Sequence, residues 1–167
     1  NADGTYGVKE GSYVAAIGEK KYATLAEAVE AAKNGETVKL LDNVGLKAML
    51  TITNSNAFTI ELNGYNITSS LTTLEIAAGA NVTVQDSTAA PGMVKSGYTG
   101  FIVANGAKLT VKNITVDGDT NGISNSGTVT IEENAVVKRH VTEGIYCNAA
   151  STVIMTGGTV DTIGPIR

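Results

Sequence analysis

From Lys21 to Leu41, in KYATLAEAVEAAKNGETVKLL, apolar residues recur at helical spacing; after it they alternate with polar ones in short runs broken by Gly and Asn. Leu25, Ala28, Val29 and Ala32 fall at i, i+3, i+4 and i+7, a narrow apolar stripe opposite Glu27, Glu30 and Lys33. Thr24, followed three residues later by Glu27, has the spacing of a capping box, in which each side chain satisfies the other residue's backbone N–H. A helix is therefore predicted to begin near Leu25. Asn34-Gly35 tolerates the left-handed conformation and is expected to end it. With two alanines in the stripe, the helix suits a flat surface that approaches closely.

Self-similarity in the later sequence supplies that surface. Residues 100–119 (GFIVANGAKLTVKNITVDGD), 122–140 (GISNSGTVTIEENAVVKRH) and 144–161 (GIYCNAASTVIMTGGTVD) share one grammar. Each opens on Gly and an apolar residue, bends at an Asn, then gives an alternating strand, a polar turn and a second Val-containing strand. Taking Ile102, Ile123 and Ile145 as equivalent gives a period in the low twenties. Residues 57–70 and 73–87 repeat the pattern more loosely. Short strands at such a period cannot bury their apolar faces one repeat at a time, but stacked repeats can. The predicted fold is all-β, a right-handed parallel β-helix with one N-terminal capping α-helix, in which Thr24, Glu27 and Val29 carry the cap. About five to six coils from Gly35 to Thr162 would stack to ~25 Å at ~4.8 Å per coil.

Alternation predicts Leu109 and Val111 inward with Thr110 outward, Val129 and Ile131 inward with Thr130 outward, and Val153 and Met155 inward, leaving apolar Ile154 outside. Asn105, Asn125 and Asn148 each precede such a strand by four or five residues and are expected to stack as an Asn ladder, with Asn54 beginning it and Ala78 interrupting it. Residues 13–23 read as a hairpin around Gly18-Glu19, and turn-rich residues 1–11 as a linker. The domain division is thus linker and hairpin over 1–21 and a capped β-helix over 22–167, expected to continue beyond residue 167. DTIGPIR at the end offers only a proline to blunt an open strand edge, so end-to-end self-association through the C-terminal edge is expected.

Composition narrows the functional classes. Charged residues are only 17% and aromatics 5%, with no Trp, so the core is built from small β-branched side chains. A net charge of −4 gives no basic stripe for nucleic acid. No apolar run approaches the length of a membrane span, so no membrane insertion is expected. Cys147 is the single cysteine and His140 the single histidine, which excludes an intrachain disulfide and a multi-histidine metal site.

YATLAEAVEAAKNGETVKLLDNV, TIELNGYNIT, GISNSGTVTIEENAVV and GGTV resemble repeats of large bacterial cell-surface and adhesin-like proteins with right-handed parallel β-helix, pectin-lyase-like folds. The resemblance runs from about Tyr22 onward. It implies extracellular display, secreted or cell-surface, with glycan or a host surface protein as partner.

Enzymes of that fold hold acidic polysaccharide with carboxylate-bound calcium and a basic residue. Asp117 and Asp119 beside Lys138, Arg139 and His140 are the candidates here. The periods stack Asp117 on Lys138, Asp119 on His140 and Arg139 on Asp161, an alternation that pairs charges rather than grouping carboxylates for calcium. No catalytic residue, metal ligand or cofactor is therefore assigned. Cys147 reads as a small buried thiol. The sequons at Asn66, Asn81 and Asn113 are expected of a chain rich in Asn and Thr, and the Thr-x-Thr pairs Thr51/Thr53 and Thr128/Thr130 do not repeat at one register, which argues against an ice-binding face. Tyr98 and Tyr146 lie near one bend two coils apart and are the best binding candidates, since tyrosines stack on sugars and anchor partners. The expected function is a non-enzymatic extracellular module, stalk or adhesin-like. The alternative is a fragment of a polysaccharide lyase or hydrolase whose catalytic coils lie outside this chain.

Overall fold

A computed structural model describes residues 12–164; the proposed linker over 1–11 and the proline of DTIGPIR lie outside the described residues. Strands run in parallel coils, each passing through three sheets in the order A, B, C. Coil 1 is β3 (Thr37–Leu40), β4 (Val44–Leu46) and β5 (Leu50–Ile52), and coil 2 is β6 (Ala57–Glu61), β7 (Ile67–Ser69) and β8 (Leu74–Ile76). Coil 3 is β9 (Asn81–Gln85), β10 (Met93–Ser96) and β11 (Thr99–Val103); coil 4 is β12 (Lys108–Lys112), β13 (Thr115–Gly118) and β14 (Asn121–Asn125). Coil 5 is β15 (Thr128–Glu132), β16 (Val136–Arg139) and β17 (Ile145–Cys147), and a sixth begins with β18 (Thr152–Met155) and β19 (Thr159–Val160). The chain is a parallel β-solenoid.

Its core is a set of columns running along the axis. In sheet A, Val38, Ile60, Val84, Val111 and Ile131 lie in register and are fully buried. In sheet C, Phe101, Ile123 and Ile145 do the same. This corrects the equivalence taken from sequence: Ile102 pairs with Ser124 and faces outward, half-buried. The repeat is anchored by the evenly spaced Gly100, Gly122 and Gly144. A Cβ on Gly122 would lie 2.5 Å from Val137 Cγ1 and 2.8 Å from the carbonyl oxygens of Gly144 and Lys138. Only glycine lets sheets B and C meet so closely.

Helix α1 (Leu25–Ala31) covers the first coil, lying against β5 and against the hairpin β1 (Ala15–Ile17) and β2 (Lys20–Tyr22). Thr24 Oγ1 accepts from the Glu27 N–H at 3.2 Å, and the Glu27 carboxylate accepts from the Thr24 N–H at 3.1 Å. Leu25, Ala28, Val29 and Ala32 are all buried. The helix ends at Ala32 rather than at Asn34-Gly35, and its last carbonyls are satisfied by Asn54, whose Nδ2 donates to Val29 O at 2.7 Å and Ala32 O at 2.8 Å. Asn54 is thus a helix cap and not the first rung of a ladder. The hairpin extends sheet A, with β1 antiparallel to both β2 and β3. At the other end the columns emerge: Met155, paired with buried Ile131, is 45% exposed, and Ile163, bridged to buried Ile145, is 50% exposed.

The other asparagines do not form the expected ladder either. Asn125 pairs with Val103 and Cys147; Asn105 lies in an exposed turn, and Asn148 follows β17. Asn125, fully buried, accepts from Gly127 N–H at 2.9 Å and donates to Thr152 O at 3.0 Å, while Asn148 Nδ2 donates to Ser126 Oγ at 2.8 Å. Stacking occurs instead where sheet B begins: Asn43 Oδ1 accepts from Asn66 N–H, and Asn66 Oδ1 from Met93 N–H, both at 2.9 Å. The outer face of sheet A holds a column that the sequence did not show, although the Thr-x-Thr pairs themselves do not repeat at one register. Thr37, Thr59, Thr83, Thr110 and Thr130 stand in one register over five coils, which the unequal coil lengths conceal in the sequence. Beside them runs a mostly charged column, Lys39, Glu61, Gln85, Lys112 and Glu132.

Candidate functional site

The corner between sheets B and C is short in coils 3 and 4. Gly97 and Tyr98 join β10 to β11, and Asp119 and Thr120 join β13 to β14. In coil 5 it lengthens to residues 140–144. Backbone bonds from Thr120 N–H to Tyr98 O (2.8 Å) and from Thr142 N–H to Thr120 O (3.1 Å) align Tyr98, Thr120 and Thr142 as one outward column. Ile102, Ser124 and Tyr146 form a second column along sheet C.

Between them lies a groove of about 430 Å³, floored by Thr99, Asn121 and Glu143. It exists because coil 4 contributes small side chains, Thr120 and Ser124, where coils 3 and 5 contribute tyrosines. Tyr98 stands at one corner and Tyr146 at the diagonal one, two coils or roughly 10 Å apart along the axis at ~4.8 Å per coil. Tyr98 is 57% exposed and Tyr146 half-buried. The structure therefore brings together the two tyrosines singled out in the sequence and adds Glu143, which sequence reasoning missed. Its only signal was its place immediately before the third glycine of the repeat.

The polar groups of the groove are only partly committed. Thr142 Oγ1 donates to Thr120 O at 2.8 Å and also contacts Asn121 Oδ1, while Glu143 N–H donates to Asn121 Oδ1 at 3.4 Å. Among the described residues, the side-chain oxygens of Thr120, Ser124, Glu143, Tyr98 and Tyr146 have no partner within the chain, and Glu143 is in no ion pair. Carboxylate, hydroxyls and two aromatic rings thus face the same space with bonding capacity to spare.

The acid and base cluster of sheet B is arranged differently from the sequence expectation. Asp117 and Lys138 do pair in register, with Lys95 below Asp117, so charges alternate up the wall. His140, however, reaches Asp117, Nε2 to Oδ1 at 2.8 Å, and not Asp119. The Arg139 guanidinium donates to Thr142 O at 2.6 Å, and only its backbone N–H meets the Asp161 carboxylate, at 3.3 Å. The departure arises because the step from Asp117 to Lys138 in sheet B is one residue shorter than the step from Ile123 to Ile145 in sheet C, so the turn after Arg139 is displaced.

A third carboxylate site, absent from the sequence expectations, is the corner between sheets A and B in coils 2 and 3. Asp86 is 2% exposed and accepts from the N–H groups of Gly64 (2.7 Å), Gly92 (2.7 Å) and Thr88 (2.8 Å) and from the Thr88 hydroxyl (2.6 Å). Burial alone would raise its carboxyl, but those bonds outweigh burial and hold it below the ordinary carboxylate value. Glu61, 7% exposed, accepts from Gln85 and from the N–H and hydroxyl of Ser87. Asp86 has no capacity left for a ligand, each of its oxygens accepting two bonds. Cys147 is a buried free thiol. Asn66 and Asn113 use their side chains internally, Asn113 Nδ2 donating to Asp86 O at 2.6 Å, whereas Asn81 is exposed. Among the described residues no three His, Cys, Asp or Glu side chains gather as a metal site, and no helix is long and apolar enough to cross a membrane. Compared with family models, curated proteins and solved structures, the chain matches none, so its fold stands on its own strand pairing.

Proposed function

We propose that this chain is a non-catalytic extracellular module, stalk or adhesin-like, that binds glycan in the groove between Tyr98 and Tyr146. The observation that carries this reading is the pairing of uncommitted polar groups with two tyrosines on a rigid wall. Sugar rings present an apolar face that stacks on an aromatic ring and hydroxyls that bond to carboxylate, amide and hydroxyl groups. The groove is also pre-formed, set by backbone ladders on both sides, so little ordering opposes binding. The resemblance to bacterial surface β-helix proteins adds support for display outside the cell. Asp117, flanked by Lys138 and bonded to His140, favours this reading over a calcium-holding catalytic cluster on the same wall. Exposure of Met155 and Ile163 favours end-to-end pairing with a second copy, and a strict monomer in light scattering at high concentration would remove that part.

A binding screen over glycans and host surface proteins, run with the wild-type chain and a Tyr98→Ala/Tyr146→Ala double variant, tests the proposal. Glycan binding lost in the double variant, with unchanged melting, is the expected result. Binding only to protein, or cleavage of polygalacturonate, would sink it.

A further inference from the structure

We infer that the groove selects uncharged sugars and rejects acidic ones, with Glu143 as the specificity-determining residue; the inference rests on the glycan reading above. Of the residues lining the groove, Glu143 is the only one charged at neutral pH. It sits on the floor between the two columns, its N–H donating to Asn121, which pairs with Thr99, so its side chain borders the path between the tyrosines. Among the described residues, no lysine or arginine lines the groove. The nearest cation by chain position, Arg139, is held outside the lining by its bond to the Thr142 carbonyl, where it keeps its charge at the rim, and Lys138 faces Asp117 on sheet B. Asp119, exposed beside Thr120, adds a second negative charge at the rim without an ion-pair partner among the described residues.

A uronate or sialate bound here would therefore bring a carboxylate toward Glu143 with no cation among the described lining residues to neutralise it. A neutral pyranose would instead donate hydroxyl protons to the Glu143 carboxylate, a charge-assisted bond of the stronger kind.

The experiment compares lactose, cellobiose and maltose with sialyllactose and digalacturonate by calorimetric titration at low salt, where the repulsion is least screened. Wild type, Glu143→Gln and the Tyr98→Ala/Tyr146→Ala variant are run alongside one another. The expected result is at least about tenfold preference for a neutral sugar, narrowing in Glu143→Gln as the acidic sugar gains and the neutral one loses an acceptor. If an acidic sugar binds wild type equally well or better, and the tyrosine variant loses it, the charge inference is overturned while the glycan reading stands. If no sugar binds, or binding survives in the tyrosine variant, the glycan reading fails and this inference with it. Thermal melting of both variants confirms that a loss of binding is not a loss of fold.

Discussion

Two corners of the same solenoid carry carboxylates and treat them in opposite ways. At the corner between sheets A and B, Asp86 and Glu61 are buried, and every bonding direction of Asp86 is taken by neighbouring N–H and hydroxyl groups. At the corner between sheets B and C, Glu143 is half-exposed, without an ion-pair partner among the described residues, and flanked by two tyrosines. The first corner closes an irregular turn over 86–92, which makes the step from Val82 to Leu109 the longest between coils in sheet A. The second interrupts an otherwise regular repeat with a hollow. Saturated bonding marks a structural acid; unused bonding beside aromatics marks a surface with something left to bind.

Mutations should separate the two corners sharply. Asp86→Ala leaves the Gly64, Gly92 and Thr88 N–H groups without an acceptor, and a loss of about 2–4 kcal/mol in denaturant unfolding is expected, with sugar binding intact. An Asp86→Ala chain as stable as wild type would remove the structural assignment. Next is Gly122→Ala, behind the groove. Its methyl would press on Val137 and two backbone carbonyls, for an expected loss of about 1–3 kcal/mol and a distorted, weaker sugar site.

Acid should act on stability through the first corner. Because Asp86 holds its carboxyl below the ordinary 3.8, the unfolded chain binds more protons than the folded one as pH falls past that value. Its contribution is therefore complete above the ordinary value and is lost as pH drops through the folded one. Asp86→Asn should flatten that part of a stability-against-pH curve. The smallest expected effect on stability is from Tyr98→Ala and Glu143→Gln, each within about 0.5 kcal/mol of wild type, since both side chains project from the wall. A loss above about 2 kcal/mol at either, the scale of a buried contact, would turn the groove into a packing feature.

Much of this architecture was legible in the sequence because its causes are local. The Thr24 and Glu27 box, the stripe from Leu25 to Ala32 and the alternation in β12 and β15 each follow from residues a few positions apart, and each appears as expected. What was not legible depends on register between coils. In sheet A the step from Thr83 to Thr110 is much longer than the step from Thr110 to Thr130, so the five-threonine column has no constant period in the sequence. In sheet C, Ile102 passes for the anchor of a repeat that glycine in fact provides. Asparagine misleads for a related reason. Its spacing before each strand resembles a ladder, yet Asn54 caps a helix, Asn125 is a buried strand residue and Asn43 and Asn66 stack elsewhere. At the candidate site, both tyrosines were visible as exposed aromatics near one bend. Glu143 was not, because its meaning lies in what neighbouring coils fail to supply among the described residues: a cation in the groove lining and bulk over Thr120 and Ser124.

The most direct test of the central claim is residue-resolved amide chemical-shift mapping during titration with the neutral disaccharides. The account predicts saturable shifts at Tyr98, Thr120, Asn121, Ser124, Glu143 and Tyr146, and none at Gly64, Asp86 or Thr88. Shifts centred on another wall, or a spectrum unmoved by every sugar at saturating concentration, would contradict it.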